Sequence, residues 1–202
     1  MILVTCAVGQ ELRFLKPAPH VEVLVTGVGM VEASSSIARA LAQSPYSLVI
    51  NAGIAGAFRG TAHIGEGVVV ADEFVELGIE TGEAIALPDG ARLVNRVTSD
   101  LSLVDSLVEY GFPSKRGITV SSVTATEETA ARLARLDVEI ESMEGFAALR
   151  AAEMAGVPAI EVRGISNIVG DRAKSGWDLA AGVNGLSKVL QALLNVLVQR
   201  DG

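Results

Sequence analysis

A single α/β domain with a central mixed β-sheet flanked by helices is the fold class this sequence predicts. Two observations carry it. Apolar runs of strand length alternate with stretches of helical periodicity along the chain, a pattern that lays helices over a parallel or mixed sheet. Half of the residues are hydrophobic, yet only 4% are aromatic and 21 are glycine, so the core is expected to use small side chains that let helices approach a sheet closely. With 202 residues there is material for one sizeable core and too little for two comfortable ones. Residues 1–202 are therefore expected to form one domain.

The elements follow in order. Residues 2–8 are a nearly continuous apolar run closed by Gly9, as expected of a buried strand. Residues 21–26 form a second run, closed by Gly27-Val28-Gly29, and residues 31–41 read as a helix of small residues. Residues 48–52 predict a third strand before Gly53-Ile54-Ala55-Gly56, and residues 67–71 a fourth. Residues 76–95 are rich in Gly and acidic side chains and read as loops or an insertion. A helix fits residues 101–110 and a strand residues 117–123. Thr126, followed by Glu127 and Glu128, starts a helix with a cap and an acidic first turn. Residues 138–141 are short and strand-like, and residues 144–155 are helical, stopped by Gly156 and Pro158. Residues 159–165 predict a strand, and residues 179–198 a long amphipathic helix.

Composition excludes several function classes. The formal net charge is −8 and no stretch is strongly basic, so neither nucleic acid nor an anionic membrane surface is an expected partner. No run reaches the roughly 18 apolar residues of a spanning helix. The first residues read as a strand rather than a signal peptide. The single cysteine, Cys6, cannot make an internal disulfide, which fits a reducing cytoplasm. His20 and His63 lack companions at metal-ligand spacing, so no metal is expected. Gly27-Val28-Gly29 has Glu32 where a dinucleotide fingerprint needs its third glycine, so no dinucleotide cofactor is expected either.

Ligands of such folds sit at the carboxyl ends of strands. Four turns are expected there: Val8-Gly9-Gln10-Glu11, Asn51 to Gly56, Glu141 to Gly145, and Arg163-Gly164-Ile165-Ser166-Asn167. Singly, each has a plain structural role. Glu11 and Glu144 suit the first turn of a helix, Asn167 an Asx turn, Gly53 a tight turn and Arg163 an ion pair.

Together these pieces resemble the purine nucleoside phosphorylase and methylthioadenosine nucleosidase superfamily. CAVGQELRFL, VTGVGM, VINAGIAGAF with IGEGVVVADE, and SMEGFAALRAAEMAGVPAIEVRGISN carry the resemblance in the right order. It implies a nucleoside phosphorylase-like fold, a small-molecule nucleoside substrate, no cofactor and a homo-oligomer, a dimer or larger. It also implies roles. Glu11 activates water. Glu144 holds the ribose hydroxyls, with Met143 beside the sugar. Asn167 contacts the purine. Gly53, Ile54, Arg163 and Ser166 complete the substrate-binding set. Breaking an N-glycosidic bond builds positive charge on ribose and negative charge on the purine. A carboxylate beside the sugar and a donor at purine N7 answer that need, and a second carboxylate can deprotonate water.

Two departures narrow the class. The superfamily's phosphorylases carry a GDPxR-like first loop and an Arg-x-Gly, both gripping phosphate. Here AVGQELR and Asn51 stand in those places, and Glu11 would repel phosphate. Arg13 remains as a possible anion contact. The adenine-specific nucleosidases have aspartic acid where Asn167 stands. An asparagine amide offers two donors, which suits N7 and a 6-keto oxygen together. With ISNIVGDR and VELGIE, the chain looks like the futalosine hydrolases, which release hypoxanthine from futalosine in an alternative route to menaquinone. Trp177, Phe74 and Arg172 or Arg59 are candidates for the 5′ aromatic carboxylate of that substrate. A methylthioadenosine or adenosylhomocysteine nucleosidase, or a phosphorylase of unusual phosphate site, is the competing expectation.

Overall fold

The computed structural model describes residues 1–77, 87–91, 93–171 and 176–200. Half of the irregular stretch at residues 76–95 and the candidate Arg172 lie outside the described residues. The described strands are β1 (Ile2–Cys6), β2 (Val21–Val25), β3 (Leu48–Ala57), β4 (Gly67–Val75), β5 (Arg96–Thr98), β6 (Ser114–Thr119), β7 (Ile140–Ser142) and β8 (Ala159–Ile168). The helices are α1 (Met30–Gln43), α2 (Leu101–Glu109), α3 (Glu127–Ala134), α4 (Gly145–Met154) and α5 (Leu179–Arg200), with one 3₁₀ turn at Gly9–Leu12.

The mixed sheet closes on itself. β3 pairs with β8 in parallel, β8 with β4 antiparallel, β4 with β6 in parallel, β6 with β7 in parallel, and β7 with β3 antiparallel. β1 and β2 extend the sheet from β3, and β5 from β4. Closure leaves these five strands with few free backbone groups. Small and branched residues fill the ring: Ala55, Ala57, Val68, Val70, Ile140 and Ile165.

Helices cover the two outer faces. α2 and α5 pack through Leu103, Leu107, Leu186, Leu190 and Leu193 onto Ile50, Ala52, Val69, Ile160 and Val162. α4 packs through Phe146 and Leu149 onto Leu3, Val49 and Ala159. α5 is 22 residues long, with a window of mean hydropathy 1.3, so by length and composition it could cross a membrane. Its apolar stripe, however, is spent on the sheet, and glycines bring it close. A Cβ at Gly164 would run into the Gly182 carbonyl, and one at Gly185 would lie 2.7 Å from the carbonyl oxygens of Gly65 and Glu66.

Several bounds differ from the sequence reading for physical reasons. β3 does not stop before Gly53 but runs through its glycine motif to Ala57, and β8 does not stop at Ile165 but runs on to Ile168. Glycine weakens an isolated strand, but here both motifs are paired along nine registered positions. Two of the four expected turns are therefore strand interior. β6 begins three residues early at Ser114, because Glu139 accepts from the Lys115 ammonium (3.1 Å) and the Arg116 backbone amide (3.0 Å). That polar start is invisible to hydropathy. β5 has three residues, two of them exposed, and was not anticipated.

Candidate active site

β3 sets the site by the way its two edges are used. Its β8 edge is paired from Val49 to Ala57. Its other edge is taken by β1 at Leu48 to Asn51 and by β7 at Gly56 and Ala57. Between them, residues 52–55 have no strand partner on that side among the described residues. Glu11, delivered by the 3₁₀ turn after β1, fills the gap: its Oε1 accepts the Ile54 amide at 2.9 Å. Its Oε2 accepts the Val8 amide at 3.0 Å, closing the turn on itself. Both oxygens are thereby fixed in a side chain that is only 5% exposed.

A cavity opens at this gap. It is lined by Glu11, Val8, Val28, Ile54, Gly56, Glu141, Met143, Glu144, Ser166, Asn167 and Trp177, among others. Glu144 is the N-cap of α4, and one of its oxygens accepts the Gly29 amide at 2.8 Å. Gly29 has φ +95°, a conformation that suits glycine and turns its N–H to the carboxylate. Asn167 reaches the cavity through a β-bulge. Ala55 pairs with Ile165, but Gly56 pairs with Asn167, so Ser166 is the extra residue. Bulges re-aim side chains in this way. The Ser166 hydroxyl donates to Asn167 Oδ1 at 2.8 Å, which leaves Nδ2 turned toward Gly56. A Cβ there would lie 2.9 Å from that nitrogen. Trp177 is held at the rim by its neighbour, whose amide donates to the Ser166 carbonyl at 2.8 Å.

Gly53 and Arg163 do not line the cavity but pack beside Glu11. A Cβ at Gly53 would collide with the Arg163 guanidinium and lie 2.9 Å from Glu11 Oε1, so glycine is required by close approach rather than by a turn. Arg163 is 1% exposed and its Nε donates to Glu161 at 2.6 Å. Burial opposes its charge, but Glu161, Glu144 and Glu73 outweigh that and raise its pKa further. Behind it, Glu73 is fully buried and accepts from the Thr119 hydroxyl at 2.7 Å. Burial first, and the neighbouring Glu161 charge second, push Glu73 well above the usual carboxylate range. Proton loss from Glu73 is therefore opposed both by its burial and by the Glu161 charge. Cys6 lies nearby, and burial with the Glu11 charge pushes its thiol up to about 12, so it stays protonated.

Not every expected residue comes to the cavity. Phe74 stacks under Arg96 at 5.3 Å instead. Arg59 pairs with Glu127 in a separate pocket. Arg13 is exposed and absent from the lining. One residue that sequence reasoning gave no role is there: Glu141, 7% exposed, with its oxygens accepting the Thr124 amide at 3.0 Å and the Thr124 hydroxyl. Burial raises its pKa, and the two Thr124 bonds work against that rise. A carboxylate two residues before the Met-Glu pair was the available signal.

Residues 5–199 match the Phosphorylase superfamily model, and the chain belongs to that superfamily. Curated relatives named Futalosine hydrolase are 34% identical in Thermus thermophilus, over 85% of this chain and 80% of theirs, and 35% identical in Streptomyces coelicolor, over 87% and 79%. Within the superfamily, the chain belongs to the futalosine hydrolase family. The fold is shared with 5′-methylthioadenosine/S-adenosylhomocysteine nucleosidases. The Streptococcus pneumoniae structure with a transition-state inhibitor gives a TM-score of 0.82 at 20% identity, covering 97% of this chain and 99% of that one. The Neisseria meningitidis structure gives 0.80 at 17%, covering 96% and 97%.

Proposed function

We propose that this chain hydrolyses the N-glycosidic bond of futalosine, releasing hypoxanthine and dehypoxanthine futalosine, a step of the futalosine route to menaquinone. The observation that carries the reading is the meeting of three groups in one cavity. They are a carboxylate clamped by two backbone amides (Glu11), a second carboxylate at a helix start (Glu144), and an amide aimed by a bulge (Asn167). Glu11 takes a proton from water and directs it at the anomeric carbon. Glu144 accepts from the ribose hydroxyls and stabilises the cationic sugar, with Met143 against the ring. Asn167 Nδ2 donates to the departing purine at N7 and O6. Ile54, Ser166 and Trp177 shape the pocket, and Gly53, having no side chain, leaves the room that Glu11 and Arg163 occupy. The family relationship favours futalosine over the methylthioadenosine reading, since the nucleosidases resemble this chain only at the level of fold.

The test is incubation with futalosine, inosine and methylthioadenosine, with and without phosphate, following base release by chromatography. Hypoxanthine is expected from futalosine at a rate indifferent to phosphate. Release that requires phosphate, or adenine release as the fastest reaction, would sink the reading. We further infer that the enzyme works in the cytoplasm as a homo-oligomer. The buried, unpaired Cys6 supports the compartment. An apolar groove between α1 and α4, with Val31 and Met154 each 75% exposed at its edges, supports the assembly.

A further inference from the structure

Three adjacent strands carry one registered row across the cavity. Gly56 of β3 pairs with Asn167 of β8 on one side and with Glu141 of β7 on the other. Neighbours in register present their side chains on one face, and all three residues line the cavity. The middle position has no side chain, so the row forms a slot with an amide at one end and a carboxylate at the other. Gly56 cannot be larger, since a Cβ would sit 2.9 Å from Asn167 Nδ2 and 2.8 Å from Val169.

The two ends differ in hydrogen-bonding sense. Asn167 offers donors, because its oxygen is engaged by Ser166. Glu141 offers only acceptors. Its oxygens accept the Thr124 amide and the Thr124 hydroxyl, two bonds that favour the carboxylate against the upward push of burial, and each oxygen keeps a further lone pair. A planar base lying in this slot meets a donor at one end of its edge and an acceptor at the other. A 6-oxopurine presents the complement: N7 and O6 accept, and N1–H donates. Adenine presents a 6-amino donor and a bare N1 acceptor, and that N1 would face the carboxylate with lone pair against lone pair.

We propose that Glu141 is a specificity-determining residue that accepts the N1–H of the purine and so selects a 6-oxopurine over a 6-aminopurine. The assignment rests on the nucleosidase reading above and extends it: Asn167 reads the N7 and O6 side, and Glu141 reads N1. Thr124 is the positioning residue, since its two bonds hold the carboxylate in the slot.

The experiment compares kcat/KM for futalosine and its 6-amino analogue on the unmodified enzyme and on Glu141→Gln. A glutamine amide can turn its nitrogen to the base and donate to N1 of the amino analogue. The variant is expected to lose about 10-fold or more on futalosine and little on the amino analogue. An equal loss on both substrates would mean that Glu141 only supports the loop at Thr124, and the proposal would be overturned. A second measurement avoids mutation: a 1-deaza futalosine, with a C–H in place of N1–H, is expected to lose a similar factor on the unmodified enzyme, and an unchanged rate would overturn the proposal. Calorimetric binding of free hypoxanthine and adenine separates this proposal from the functional reading. Tighter hypoxanthine binding that disappears in Glu141→Gln supports the Glu141 assignment even if futalosine is not cleaved, in which case only the hydrolase reading fails. Cleavage with no base preference in binding overturns the assignment alone.

Discussion

Glu11 accepts two backbone amides, and this shapes what its replacement should do. On its proposed role, Glu11→Gln removes the base, so turnover is expected to fall about 10²-fold or more while substrate affinity is kept. The variant also puts an amide nitrogen against the N–H of either Val8 or Ile54, where only acceptors fit. A lower thermal midpoint should therefore accompany the loss, about 1–3 kcal/mol for one unpaired donor. Stopped-assay rates and a thermal melt on the same sample separate the two effects, and full turnover in a folded variant would remove Glu11 from the chemistry. Glu73 makes a different prediction. Its folded pKa lies well above the ordinary 4.5, so between those values the folded state holds a proton that the unfolded state has released. Stability from this group is present below the ordinary value and is lost as pH rises through the folded one. Glu73→Gln has no proton to lose at this position, so the variant's midpoint should fall less than the parent's from mildly acidic to alkaline buffer. Parallel curves would show that Glu73 does not hold the proton.

At the scale of elements, the docking of α5 is the most sensitive contact. Gly164 on β8 faces Gly182 and Leu186 with no room for a methyl group, and Gly67 on β4 faces Gly185 in the same way. Gly164→Ala must push the helix off the sheet and strip contacts from Leu186 and Leu190. Overpacking of this kind costs about 1–3 kcal/mol, read as a lower denaturant midpoint. Gly176→Ala, with nothing within 4 Å of the added carbon, serves as the neutral control. Because α5 also carries the segment that places Trp177 through the Ser166 carbonyl, the Gly164→Ala variant should raise KM more than it lowers kcat.

At the scale of the whole molecule, strand pairing closes the sheet around the cavity, whereas among the described residues the α1–α4 groove is open to solvent. The expected outcome in sedimentation at micromolar concentration is a species of at least twice the chain mass. Val31→Glu combined with Met154→Glu places two charges in that groove without touching the core. The pair should yield a folded monomer, since exposed substitutions typically shift stability by only about 0.5 kcal/mol. A parent protein that already sediments as a monomer would end the oligomer proposal.

The sequence by itself determined the element types and most of their order. It also marked the motif residues Glu11, Met143, Glu144 and Asn167, because strand and helix periodicity and short motifs are local properties of the chain. It could not place Gly53 and Gly56 inside a strand, since the pairing that holds β3 extended comes from β8, more than a hundred residues away. The closure of the sheet, the unpaired stretch at residues 52–55 that receives Glu11, and the bulge at Ser166 were all decided by tertiary structure. So was the row that sets Glu141 opposite Asn167. Glu141 looked like one more polar residue at a strand end, and its place became visible only once β7 was paired antiparallel to β3 at Gly56. Strand register is fixed by the burial of whole faces and by which edges remain free, and neither quantity is carried by any short stretch of sequence.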